Sequence, residues 1–223
     1  MSAQYGNSLA DCNSFVLNFA NTCDSSATPT SVSDVPSETM VCDDVGQCPG
    51  TVTDNTTCTY DRQLCVYCYE QDSTVYISVL GNNMPAHCFS SPRDTPTIQD
   101  VYFTVKFNPN DTTEINTNYT TQDEVDNGIC LIDWSTDTGV PTNSNYTRLG
   151  STILDTALGM SLSGIMVFNG DSINNMDPFY PQAWGNYTTV ETESVDTCLM
   201  HPQGQGIFHY HMITQCIKDY ENW

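Results

Sequence analysis

An all-β protein is what this sequence predicts: a sandwich or barrel-like domain carrying a disulfide-rich N-terminal extension. Three observations point that way. The apolar segments are dominated by β-branched residues and Tyr, with almost no Lys, Arg or Glu spaced for the i,i+4 pairs that support helices. Those segments are short, and clusters of Gly, Asn, Asp and Pro punctuate them. Seven of the 11 cysteines (Cys12, Cys23, Cys42, Cys48, Cys58, Cys65, Cys68) crowd the first third of the chain, where a staple rather than a large core is expected.

Residues 1–70 read as the Cys-rich extension. Within it, Asn13-Ser-Phe15-Val-Leu17-Asn-Phe19 has the period of a strand, which places Phe15, Leu17 and Phe19 on one face. Such a segment is either an edge strand of its own domain or an arm that completes a neighbour's sheet. Thr28-Pro-Thr-Ser-Val-Ser-Asp-Val-Pro-Ser37 then follows as a turn-rich, weakly hydrophobic stretch. Residues 71–223 read as the β domain. Its strands are expected at Thr74–Leu80, Asp100–Phe107, Gly164–Phe168 and Gly206–Ile213. In the second of these, Val101, Phe103 and Val105 alternate with Tyr102, Thr104 and Lys106, the pattern of a half-buried strand. Turns are expected at Gly81-Asn-Asn, Asn108-Pro-Asn-Asp, Asn169-Gly-Asp and His201-Pro-Gln-Gly. No solenoid repeat is visible.

Charge excludes several functions. Against 27 acids the 223-residue chain sets only 5 bases, a net charge of −22, so phosphate backbones are repelled and nucleic-acid binding is excluded. Anionic membranes are disfavoured for the same reason. The longest apolar region, Ile153 to Phe168, is broken by Asp155 and by Gly and Ser, and is no membrane span. Asp123-Glu-Val-Asp126-Asn-Gly128 lacks the spacing and the terminal Glu of a calcium loop.

A secreted, extracellular protein is expected instead. Asn-x-Ser/Thr sequons stand at Asn55, Asn110, Asn118, Asn145 and Asn186, each a candidate for an N-linked glycan. Met1-Ser-Ala-Gln-Tyr-Gly has neither the basic nor the apolar region of a signal peptide, so a mature product or a start downstream of the true one is expected. Cys65-Val-Tyr-Cys68 reads as two ordinary disulfide cysteines rather than a redox pair, because no βαβ setting surrounds it. Eleven is odd, so one thiol is expected to be free or to join another chain, which favours a homo-oligomer or polymer.

Hydrolase and phosphate-binding motifs are absent: Gly159-Met-Ser161-Leu-Ser163-Gly164 has the wrong spacing for a nucleophile elbow. The chemistry then falls to four histidines. Two residues apart on an extended segment, His209 and His211 share a face with Cα atoms about 6.6 Å apart, a start for a Cu or Zn chelate. His201 joins them only if the Pro202-Gln-Gly-Gln-Gly206 turn folds it back. The competing reading is a rigid polar core whose ring nitrogens are satisfied by backbone.

The segment Asp196-Thr-Cys198-Leu-Met-His201-Pro-Gln-Gly-Gln-Gly206-Ile-Phe208-His209-Tyr210-His211, followed by Cys216, resembles the signature of YHYH-domain proteins. Asn82-Asn-Met-Pro85-Ala-His87, Phe107-Asn-Pro109 and Ala157-Leu-Gly-Met-Ser-Leu-Ser-Gly164-Ile-Met-Val-Phe168-Asn169-Gly170 are similar to further elements of that family. The likeness covers roughly residues 74–217, and Phe208 stands where the pattern has its first Tyr. It brings no established activity with it. All four histidines fall on positions that match the pattern. The resemblance therefore implies one cluster of His87, His201, His209 and His211 near Asn169-Gly170, either binding a transition metal (Cu or Zn) or forming a metal-free polar core. Cys198 and Cys216 flank the edges of the motif hairpin, and a bridge between them is expected.

Two functions follow as expectations. The first is a secreted, N-glycosylated structural protein, a self-assembling subunit of an extracellular coat or filament. The second is an extracellular metal-binding protein or enzyme using the His cluster. The structural role is favoured, because catalysis needs an acid or base that the sequence does not nominate.

Overall fold

Ser8 and Asp11 start the first element. Ser8 Oγ accepts a hydrogen bond from the Asp11 N–H at 3.2 Å, and the Asp11 carboxylate accepts one from the Ser8 N–H at 3.3 Å. This reciprocal cap opens helix α1 (Leu9–Val16). The expected strand-like arm is thus corrected to a helix. Phe15 and Phe19 still meet, edge to face with centroids 5.6 Å apart, because the turn that ends the helix (Asn18 N–H to Phe15 O, Phe19 N–H to Val16 O) keeps them neighbours. Leu17 points away and is 70% exposed. Phe15 further contacts Phe107 at 5.6 Å, so the segment packs on its own chain.

The structure is a computed structural model that describes residues 5–43, 45–91, 93–109, 157–170, 172, 177–183, 188–214 and 216. Beyond α1 the described residues are mostly β-sheet, in three sheets, and no barrel closes among them. No described helix is long and apolar enough to cross a membrane.

In the first sheet, β1 (Glu38–Asp43) and β2 (Thr51–Thr53) flank β3 (Thr57–Arg62), all antiparallel. A second antiparallel sheet runs β4 (Leu64–Gln71), β5 (Thr74–Gly81), β6 (Val101–Lys106). The expected boundary at residue 70 falls at the tip of the β4–β5 hairpin, which closes on the pair Gln71 and Thr74. β4 and β5, on either side of that boundary, therefore share one sheet.

The N-terminal segment covers both faces of this second sheet. Strand alternation sends Cys65 and Cys68, three residues apart, to opposite faces. On one, Cys68 bonds Cys12 of α1, over a core of Val16, Leu64, Val66, Ile77 and Val79. On the other, Cys65 bonds Cys23, beside Val32, Val35 and Leu80. A Cys65–Cys68 redox pair is thereby ruled out by geometry. The outer edge of β4 is also covered: Leu64 N–H donates to Thr22 Oγ1 (3.0 Å), Thr22 N–H to Leu64 O (2.8 Å), and Val66 N–H to Asn21 Oδ1 (2.8 Å).

The third sheet holds the histidines. Its order is β7 (Ala157–Met160), β8 (Met166–Phe168), β10 (Phe208–Tyr210), β9 (Met200–Pro202), with β8 and β10 parallel and the other pairs antiparallel. It packs on the first sheet in sandwich fashion. Phe208, Tyr210 and Met200 meet Cys42, Cys58, Tyr60 and Phe89 in one buried cluster. Disulfides Cys42–Cys88, Cys48–Cys58 and Cys198–Cys216 pin the periphery of this core.

Candidate metal centre

Phe208 and Tyr210 enter the core, so the alternation of β10 turns His209 to the opposite face. Directly across the ladder, His209 pairs with His201 of β9. The Gln203–Gly206 turn makes this possible. Its Gly206 has φ +82°, and a Cβ there would collide with Thr97, so glycine is required. His211, just past β10, lies on the His209 side. The turn therefore folds His201 back, and three of the four expected histidines come together.

Their side chains are buried, and the nitrogen geometry is specific. His211 Nε2 lies 3.2 Å from His201 Nε2 and 3.1 Å from His209 Nε2. The ligand atoms of all three rings lie within 4.8 Å of one another. The opposite nitrogens are engaged elsewhere. His209 Nδ1–H donates to Ile207 O at 2.9 Å, and His211 Nδ1–H donates to Asn169 O at 2.8 Å. His201 Nδ1 faces Glu193 Oε2 at 3.8 Å. Phe168 stacks on the His209 ring with centroids 4.2 Å apart, closing one side.

With Nδ1 protonated on His209 and His211, neutral rings turn Nε2 lone pairs toward each other at 3.1 Å, which is repulsive unless a proton or a cation lies between. Burial first, then His211 and Arg93, bring the His201 pKa down to about 4, despite the nearby Glu193. A proton on His201 is thus disfavoured at neutral pH. A metal ion fits the spacing: zinc–imidazole bonds of about 2.0–2.1 Å in a tetrahedron set nitrogens about 3.3–3.4 Å apart. The carbonyls behind His209 and His211 and the carboxylate facing His201 are the outer contacts that orient metal-ligating imidazoles.

His87 lies elsewhere, which corrects the four-histidine cluster. Its Nδ1–H donates to Cys88 O at 2.9 Å, and its Nε2 accepts from Tyr210 Oη at 3.0 Å. Because Tyr210 lies between His209 and His211 in sequence, its side chain is on the far face of β10, and His87 is there with it. Both groups are held neutral: burial pushes His87 below and Tyr210 above their ordinary values. This pair is a satisfied polar element of the core.

Sequence reasoning did not single out Asn83. It is buried with φ +58°, and its amide bridges two strands. Nδ2–H donates to Phe208 O at 2.8 Å, and Oδ1 accepts from Met166 N–H at 3.0 Å. The side chain thereby acts as an inserted peptide group that sets β10 against β8. A signal was present, since Asn is the residue other than glycine that most readily takes the left-handed conformation in a turn such as Gly81-Asn-Asn. Glu193 and Phe168 carried no comparable signal.

The remaining candidates divide between described and undescribed positions. Asn55 sits exposed in the β2–β3 turn with φ +67°, open to a glycan. Asn110, Asn118, Asn145, Asn186 and the eleventh cysteine, Cys130, lie outside the described residues. Phe15 and Phe19 belong to the helix and its exit, as described above. No family model, curated protein or solved structure matches the chain, so the likeness to the YHYH family rests on the motif residues themselves.

Proposed function

We propose that this chain is an extracellular, disulfide-stapled β protein that holds one divalent transition-metal ion, Zn(II) or Cu(II), at His201, His209 and His211. The observation that carries the reading is the convergence of three Nε2 atoms while Ile207 O and Asn169 O occupy two of the opposite nitrogens. An all-imidazole set selects zinc or copper over magnesium, calcium or manganese, which prefer oxygen. The net charge of −22 draws cations to the surface. Five disulfides among the described residues support an oxidising compartment.

Metal analysis of the intact protein, equilibrated with Zn(II) and Cu(II) and then desalted, tests it. One equivalent is expected for the natural chain and none for His209→Ala. Less than a tenth of an equivalent in the natural chain refutes the reading. The alternative, a coat or filament subunit, keeps two sequence motives, the odd cysteine and the absent hydrolase motifs. Electron microscopy of native material separates the two, since regular polymers support the subunit and dispersed metal-loaded particles the metal protein.

A further inference from the structure

A cavity of about 390 Å³ adjoins the cluster, and His211 belongs to both. That volume falls within the range of small-molecule sites. Pro178, Phe179, Tyr180, Leu199 and Met212 give it apolar walls. Gly170 also lines it, and nothing lies within 4 Å of where a Cβ would stand. Three histidines leave a tetrahedral ion one further position. We propose that this position opens into the cavity and takes the anionic headgroup of a small ligand whose apolar body fills the space, an inference that rests on the metal reading above.

Charge and shape select the ligand class. Three neutral imidazoles leave the two positive charges of the ion uncancelled within its own shell. Glu193 stands on the far side of the His201 ring, at Nδ1, and supplies no ligand atom. The open position therefore favours an anion over a neutral group. Asp177 limits how much negative charge can enter. It lines the cavity, and its Oδ1 accepts from the Phe179 and Tyr180 N–H groups at 2.8 and 2.7 Å. A carboxylate fixed in the wall disfavours dianions such as phosphate. What fits is a monoanion with one apolar substituent, of the form of an aromatic or branched aliphatic carboxylate.

Calorimetric titration of the zinc-loaded protein with acetate, benzoate and inorganic phosphate tests the proposal. Metal content is measured first on every sample. Benzoate is expected to bind once per metal and at least ten-fold more tightly than acetate. Phosphate and metal-free protein are expected to give no binding. Gly170→Leu is expected to keep its metal and lose the ten-fold preference. Gly170 lies outside the left-handed region, so the change fills space without backbone strain. If no zinc loads, the metal reading fails and takes this one with it. With zinc loaded, any of three results overturns the ligand proposal alone. These are equal affinity for, or no binding of, the two carboxylates, an unchanged preference in Gly170→Leu, and benzoate binding without metal.

Discussion

Acidifying the metal-free protein from pH 7 to pH 5 is expected to cost it about 2 kcal/mol through His201 alone. In the unfolded chain this imidazole takes up its proton near 6.5, whereas in the folded protein burial, His211 and Arg93 hold the value near 4. Between those values the unfolded state binds more protons, so stability increases with pH across the window. The contribution is fully present above 6.5 and is lost as pH falls toward 4, with the whole gap worth about 3 kcal/mol. With a urea m-value of about 2 kcal/mol/M for a protein of this size, the midpoint drops by about 1 M between pH 7 and pH 5. The assay is urea unfolding in excess chelator, disulfides intact, of the natural protein beside His201→Gln, which cannot titrate. His87, whose pKa burial also lowers, and Asp196, whose pKa burial raises, are common to both proteins and cancel in the comparison. If His201→Gln loses as much between the two pH values as the natural chain, the account of His201 as a buried neutral ring is wrong.

Further outcomes separate ligands from supports. Alanine at His201, His209 or His211 is expected to weaken zinc binding by at least about 100-fold, more than the loss of an outer contact. His87→Gln is expected to leave the zinc stoichiometry at one and to cost about 1–2 kcal/mol of stability through the lost Tyr210 contact. Competition with a chromogenic chelator reads the first and urea unfolding the second. Asn83→Ala strands the Phe208 carbonyl and the Met166 N–H in the interior, at about 3 kcal/mol, so an unchanged urea midpoint would contradict its bridging role. Removing Cys12–Cys68 as a pair of alanines reopens a loop that Cys23–Cys65 already shortens to about 15 residues, and the chain-entropy model gives about 3 kcal/mol. Thermal melting of that variant should show a fall of many degrees.

Legibility in the sequence followed the length of each pattern. Strands β5 and β6 stand out because six or more alternating residues leave no other period available. Strands β2 and β9 have three residues each, too few for any period to register, and they form because neighbours in space supply partners. The helix was missed for a different reason. Phe15 and Phe19 are four apart, a separation that suits both a strand face and a helix face, so the pair decides nothing. Leu17 would have decided, but its exposure is visible only in the fold. The Ser8-Leu-Ala-Asp11 cap was the available signal. Among the histidines, the two-residue spacing made His209 and His211 a pair from the start, whereas His201 depended on one turn. His87 has a motif position like the others, and nothing local to it reveals that Tyr210 claims its ring.

The two disulfides that reach β4 have a consequence for how this protein meets proteases. Residues 12–23 are bonded at both ends to one short stretch of strand, Cys23 to Cys65 and Cys12 to Cys68. A single cut anywhere between Cys12 and Cys23 therefore releases no fragment. Each new end stays tethered no more than ten residues from its attachment, and the nicked chain migrates whole until it is reduced. Wherever reductants are scarce, damage to this segment would leave the histidine-bearing sheet covalently complete.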